Sequence, residues 1–76
     1  MRRVGTVVRT AGGLAIARAE TGEAPPRIGS AVVDESLSTV GRVVDVFGPV
    51  DRPYVAVTPG GGVGLAALVG GKLYAR

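Results

Sequence analysis

The chain contains no cysteine, no histidine and no tryptophan among its 76 residues. These absences exclude disulfide staples and the usual structural zinc sites, and they remove the commonest general base and the thiol nucleophile. A chain this short buries only about 60% of the surface that its unfolded form exposes, so its own stability is expected to be modest. We therefore expect it to associate with a partner. The lack of cysteine also fits a reducing cytoplasm.

Aromatic residues and runs of like charge are also scarce. The chain has one phenylalanine and two tyrosines, and its formal charge of +3 comes from nine basic and six acidic residues. The basic residues are scattered, with no run longer than two, and scattered charge is typical of a solvated surface. Strong independent binding to nucleic acid normally requires a basic stripe with aromatic stacking platforms. The composition supplies little of either.

The sequence shows neither a continuous apolar stretch after Arg2 and Arg3, as a signal peptide would have, nor a run approaching the roughly 20 apolar residues needed to span a bilayer. We expect a soluble, intracellular, cytoplasmic protein with no membrane partner.

No group of residues has the spacing of an enzyme site. Asp34 and Glu35 are adjacent and read as a solvated turn, and Asp45 and Asp51 read as turn or ion-pair residues. The glycines at 60–62 and 70–71 read as turns, because no lysine–serine or lysine–threonine pair follows them. The sequence therefore predicts no catalytic activity, no metal, no cofactor and no small-molecule substrate.

Short β-branched runs separated by glycine and proline predict an all-β domain. A double glycine at 12–13 predicts an N-terminal hairpin, residues 20–27 predict a loop, and residues 63–69 are ambiguous between a strand and one helical turn. About six strands with no amphipathic helix indicate one small, closed or nearly closed barrel over residues 1–76. The predicted strands are 4–9, 14–19, 28–33, 39–47, 54–58 and 72–75.

The longest predicted strand, 39–47, contains Gly41, and a glycine inside a strand commonly marks a bulge or a barrel corner. Strict alternation places Val43, Asp45 and Phe47 on one face of this strand. It places Val40, Arg42, Val44 and Val46 on the other.

The most informative segment is the loop between that strand and the next. Pro49 and Pro53 fix the backbone and remove two hydrogen-bond donors, so Gly48 to Pro53 cannot continue either strand as a central strand. Two of the three aromatics, Phe47 and Tyr54, lie at the ends of this loop. A rigid loop on a β scaffold, flanked by aromatics, indicates a docking surface.

The segments around this loop closely resemble the small barrel subunit of archaeal box H/ACA ribonucleoproteins, the Gar subunit of the Gar/Naf family. The aspartate-x-phenylalanine-glycine-proline core is its most specific part, and the similar segments cover most of the chain in the family's order. They are 2–7, 28–34, 43–50, 53–57 and 69–74.

The resemblance implies a six-stranded, Greek-key-like barrel of the Gar/Naf, translation-factor-barrel-like type. It also implies a non-catalytic subunit that binds the pseudouridine synthase of the complex and meets guide RNA only indirectly. The subunit would assist substrate loading and product release in guide-RNA-directed pseudouridylation of ribosomal RNA. On this basis the partner-binding residues are Phe47, Gly48, Pro49, Val50, Pro53 and Tyr54.

These six residues have two kinds of role. Phe47, Val50 and Tyr54 would supply apolar contact area, whereas Gly48, Pro49 and Pro53 would hold the loop in its bound shape. From the residues alone, Phe47 could equally plug the barrel. Tyr54 could equally be a core residue with its hydroxyl at the rim.

Three alternatives stay open at this stage. One is a stand-alone RNA-binding barrel that uses its arginines on phosphates, which predicts salt-sensitive binding to naked RNA. Another is a photosynthetic-reaction-centre-type barrel acting as an interaction module. The third is the Naf-type chaperone role, which would use the same surface. The chain shows no arginine–glycine or lysine-rich tail, so we expect no RNA affinity from a tail.

Overall fold

Six antiparallel strands and one helical turn make up the regular structure. A computed structural model describes residues 1–20, 22 and 24–76. Along the chain the elements are β1 (Arg2–Ala11), β2 (Leu14–Arg18), β3 (Ala31–Val33), β4 (Thr39–Phe47), β5 (Tyr54–Pro59), α1 (Leu65–Leu68) and β6 (Lys72–Ala75).

The strands close into a barrel in the order β1-β2-β5-β4-β3-β6, with β6 beside β1. All six pairings are antiparallel. The predicted six-stranded barrel and the N-terminal hairpin are confirmed. Closure satisfies the backbone groups that an open sheet would leave at its edges.

Small β-branched side chains fill the interior. Their stiff, compact shape packs well on a pleated surface, so a narrow barrel can be filled almost entirely by valine and alanine. Leu65 and Leu68 of α1 pack against this core. The buried cluster consists of Val4, Val7, Ala15, Ala17, Val32, Val40, Val43, Val55, Val57, Leu73 and Ala75.

The predicted strand at 28–33 is too long by three residues. Gly29 has a φ of +94°, and the Ser30 N–H donates to the Arg27 carbonyl at 3.1 Å, so the chain turns here and β3 begins only at Ala31. The ambiguous segment 63–69 contains a single helical turn, α1. The predicted loop 20–27 includes Thr21 and Glu23, which lie outside the described residues.

The predicted faces of β4 are wrong because the strand contains two bulges. Val40 is an extra residue opposite β3, which confirms the irregularity expected at Gly41, and Val44 is an extra residue opposite β5. An extra residue reverses the alternation beyond it. Val43 and Val46 therefore both face the core, whereas Phe47 lies on the outer face beside Tyr54.

Asp34 stabilises the turn between β3 and β4, in agreement with the prediction that Asp34 and Glu35 lie in a turn. Its carboxylate Oδ1 accepts the Ser36 N–H at 2.8 Å and the Ser38 N–H at 3.1 Å, and its carbonyl accepts the Leu37 N–H at 3.0 Å. These bonds hold Leu37 at a φ of +66°, a left-handed conformation that costs a leucine roughly 1 kcal/mol or more.

Relief of this strain should stabilise the barrel. We expect Leu37→Asn to raise the free energy of unfolding by about 0.5–1 kcal/mol, because asparagine tolerates the left-handed region and the position is exposed. Thermal melting followed by circular dichroism measures the change. Leu37→Ala is the matched control, since alanine keeps the backbone strain and should give no gain. Equal stability of the two variants would contradict the assignment of strain.

No helix among the described residues is long and apolar enough to cross a membrane.

Candidate protein-docking surface

The β4–β5 loop, residues 48–53, is tied to the chain that follows β2. The Ala19 N–H donates to the Pro53 carbonyl at 2.9 Å, and Arg52 Nε donates to the Ala19 carbonyl at 3.2 Å. Within the loop, the Arg52 N–H donates to the Pro49 carbonyl at 3.3 Å. Two prolines and these three bonds restrict the loop to one shape, which lowers the entropy that a partner must remove on binding.

Gly48 allows the loop to leave β4 directly beside an aromatic ring. Its φ is +90°, and a Cβ placed on it would lie 2.9 Å from Tyr54 Cδ2. A side chain at this position would therefore strain the backbone and displace the Tyr54 ring. The residue types at Gly48 and Tyr54 depend on each other.

The loop presents an apolar tip to solvent. Val50 is 97% exposed, and Phe47, at the base of the loop, is 38% exposed. Gly48 and Pro49 are exposed as well, Tyr54 is half-buried and Pro53 is buried. Phe47 does not plug the barrel, and Tyr54 lies on the outer face beside it. Five of the six predicted residues can thus reach a partner, whereas Pro53 acts inside the protein as an anchor. Their role in binding stays a prediction.

Phe47 and Tyr54 form one stacked pair. They are cross-strand neighbours on β4 and β5, with ring centroids 5.5 Å apart and ring planes inclined by 22°. An offset pair of this kind stabilises its geometry by about 0.5–1.5 kcal/mol beyond the area that it buries. The two rings therefore form a fixed apolar platform at the base of the loop.

Arg18 extends this platform on the opposite side and was not among the residues predicted from the sequence. It lies directly across from Tyr54 in the β2–β5 pairing, and its guanidinium carbon is 5.4 Å from the centroid of the Tyr54 ring. The contact with Tyr54 depends on the β2–β5 register, which has no local signal in the sequence.

Tyr54 is consequently covered from two sides. Because β4 and β2 flank opposite edges of β5, Phe47 and Arg18 meet the two faces of the Tyr54 ring. A nucleobase could not stack on Tyr54 without displacing one of them. The surface offers instead the outer side of Phe47, the exposed Val50 and the guanidinium N–H groups, a combination of apolar area and charge found at protein interfaces.

The described residues include no cluster that could hold a metal ion. Among residues 1–20, 22 and 24–76, no three His, Cys, Asp or Glu side chains come together to hold a metal ion. The carboxylates of Asp34 and Asp45 are occupied locally, since each accepts backbone N–H groups from its own turn or strand. What the arrangement offers is contact area in a fixed shape.

A small closed barrel with an anchored, apolar loop belongs to the class of β-barrel binding modules. Within this class, the family model described as "Gar1/Naf1 RNA binding region" matches residues 1–76, and the chain belongs to this family. The family is an RNA-binding, non-catalytic one, and membership supports an H/ACA-type, RNA-associated role. The resemblance found in the sequence is confirmed, and it favours this barrel over the reaction-centre-type alternative.

One curated protein is similar over much of the chain. Uncharacterized protein MJ0782.1 of Methanocaldococcus jannaschii is 41% identical over 51 residues, which is 67% of this chain. The aligned residues span 58% of the length of that protein.

Proposed function

We propose that this chain is a non-catalytic subunit of an archaeal box H/ACA ribonucleoprotein, acting in the cytoplasm, and that it binds the pseudouridine synthase subunit. The single observation that carries the proposal is the β4–β5 loop, which holds Val50 97% exposed beside the Phe47–Tyr54 stack. Family membership supports the ribonucleoprotein context. Guide RNA is reached indirectly, through the complex.

An apolar side chain held in solvent by a constrained loop fits the role of an anchor. Anchors that enter a partner's pocket carry most of the binding energy of an interface, and preorganised anchors lose little entropy on binding. Pro49, Pro53 and the Arg52–Ala19 hydrogen bond provide the preorganisation here. Bound in this way, the barrel would assist substrate loading and product release by the synthase, and so assist guide-RNA-directed pseudouridylation of ribosomal RNA.

A second candidate is a stand-alone RNA-binding barrel, which the family description itself favours. Such a barrel needs accessible aromatic faces and a basic track. Tyr54 is covered from two sides, so Phe47 is the one aromatic of this surface with an open side, and the net charge is only +3. We therefore rank direct RNA binding below synthase binding. The Naf-type chaperone role would use the same docking surface.

The proposal is tested by calorimetric titration of the protein into the pseudouridine synthase subunit of its own organism and, separately, into guide RNA. We expect tight binding to the synthase and none to RNA. The double variant Pro49→Ala/Tyr54→Ala should bind the synthase at least about tenfold more weakly, because it frees the loop and removes half of the stack. Its far-UV circular dichroism should match that of the unchanged protein.

Three outcomes would count against the proposal. Binding to RNA alone, with a steep loss on adding salt, would favour the RNA-binding barrel. Failure of the unchanged protein to bind the synthase would reject the partner. Unchanged synthase affinity in the folded double variant would exclude the loop from the interface.

A further inference from the structure

We propose that Arg18 is a receptor for a carboxylate that the partner protein contributes, so that a partner aspartate or glutamate pairs with it at the edge of the docking surface. The inference rests on the proposed function, because it names the chemistry of a contact within that same interface. It assigns a binding role to a residue on β2, outside the β4–β5 loop.

The Arg18 guanidinium is held in place without being neutralised. The Tyr54 ring lies beneath it, with 5.4 Å between the guanidinium carbon and the ring centroid. A cation–π contact of this kind uses the positive charge of the guanidinium and none of its N–H groups. Among the described residues Arg18 makes no side-chain hydrogen bond or ion pair, and of its nitrogens only Nε is buried without a partner, so the terminal N–H groups are available to a partner.

The same guanidinium lacks an acceptor in the part of the chain that the structure describes. Arg18 Nε is buried and makes no hydrogen bond. A buried donor without a partner is unfavourable and rare in native structures, so this one calls for an explanation. A carboxylate on the outer N–H groups would neutralise the charge and offset the cost of burying Nε.

Four other arginines are used locally, and the remaining three, Arg9, Arg27 and Arg76, are exposed, whereas Arg18 is half-buried. Arg3 pairs with Glu20 at 3.5 Å, Arg2 donates to the Ala24 carbonyl at 3.0 Å, and Arg42 donates to the Gly29 carbonyl at 3.0 Å. Arg52 donates through Nε to the carbonyl of Ala19, the residue that follows Arg18. The described residues place no ion-paired carboxylate on either Arg18 or Arg52.

A protein carboxylate suits this position better than a nucleic-acid phosphate. The exposed Val50 and Phe47 lie at the same end of the barrel, and a partner covering them excludes water from Arg18. An arginine at the rim of an apolar contact is a frequent determinant of affinity, and its bidentate geometry matches a carboxylate. A nucleic acid would also require several stacking platforms along a basic track, and this surface offers only the outer side of Phe47.

The test is a calorimetric titration of Arg18→Gln and Arg18→Lys into the pseudouridine synthase subunit at low and high salt. The Arg76→Gln variant is the matched control, because Arg76 is an exposed arginine that follows β6 and bonds to β3, which lies across the barrel from β2. We expect Arg18→Gln to bind at least about tenfold more weakly, and Arg18→Lys to recover only part of the loss, since lysine lacks the bidentate fork. Arg76→Gln should bind like the unchanged protein.

The salt dependence and the melting temperature separate binding from folding. Synthase affinity of the unchanged protein should fall with salt more steeply than that of Arg18→Gln, because the variant has lost one ion pair. The melting temperature of Arg18→Gln should stay within about 5 °C of the unchanged protein, since stacking on Tyr54 is a modest contribution. Arg18→Met, which keeps an unbranched stem over the ring, serves as a second uncharged variant should Arg18→Gln fail to fold.

The inference and the proposed function fail in different ways. If the unchanged protein does not bind the synthase, the proposed function fails and this inference fails with it. If the unchanged protein binds and a folded, uncharged Arg18 variant binds equally well, only the carboxylate receptor is overturned. It is overturned as well if the variant keeps its synthase affinity but loses binding to guide RNA, because the ligand would then be a phosphate.

Discussion

We expect the substitution Gly41→Ala to destabilise the barrel strongly. A Cβ on Gly41 would lie 1.7 Å from the Thr58 carbonyl oxygen and 2.8 Å from the Thr58 carbonyl carbon. Both atoms belong to the backbone of β5, so no side-chain rotation relieves the overlap. The two strands would have to separate where Gly41 and Arg42 pair with Pro59 and Thr58. We estimate a loss of at least about 3 kcal/mol, above the usual cost of overpacking.

That loss is large for a chain of 76 residues, whose total stability is expected to be roughly 4–11 kcal/mol. Urea unfolding followed by circular dichroism measures it. Gly61→Ala is the matched control, because no atom lies within 4 Å of a Cβ there. Alanine also restricts the unfolded chain, so the control should be neutral or slightly stabilising. A Gly41→Ala variant as stable as the control would contradict the close approach of β4 and β5.

The strands of this barrel can be predicted from the sequence because turns and strands use different residues. Glycine pairs, prolines and polar clusters bound β-branched runs, and β4 and β6 match their predicted limits residue for residue. Residues 28–30 were wrongly predicted as strand. They belong to an apolar run with strand composition, but the positive φ of Gly29 makes the chain turn there. Composition alone did not distinguish that glycine from one within a strand.

The sequence did not correctly predict which side chains of β4 face the core, and the reason is different. Gly41 indicated a bulge, but its position and the second bulge at Val44 depend on the register against β3 and β5. Each extra residue inverts the inside and outside of the strand beyond it. Strict alternation predicted that Phe47 shares a face with Val43, which is buried in the core. The structure instead places Phe47 on the outer face.

The candidate site also contains residues that the sequence predicts and one, Arg18, that it does not. The loop 48–53 and its flanking aromatics are adjacent in sequence, so local rules for proline and glycine identify them. Arg18 is 36 positions away from Tyr54 along the chain and meets it only through the β2–β5 pairing. Long-range register is a tertiary property, and one sequence does not reveal it.

We expect the substitution Val50→Asp to abolish synthase binding while leaving the barrel folded. At 97% exposure Val50 makes almost no contact within the free protein, so its replacement should change the free energy of unfolding by less than about 0.5 kcal/mol. In the complex, the new carboxylate would be buried in an apolar contact beside Asp51. Burial of an unpaired charge costs several kcal/mol, which corresponds to a loss of affinity of roughly a hundredfold or more.

The Leu37→Asp variant makes this result specific to the loop. Leu37 is 56% exposed in the β3–β4 turn, away from the β4–β5 loop, and aspartate tolerates its left-handed backbone. Both variants replace one exposed aliphatic side chain by the same charge, so any effect of net charge on the encounter with the synthase is shared. Retained binding by Leu37→Asp and lost binding by Val50→Asp would place the partner on the loop. Equal loss in both would indicate that the added charge acts at long range, and equal retention would show that Val50 stays in solvent when the complex forms.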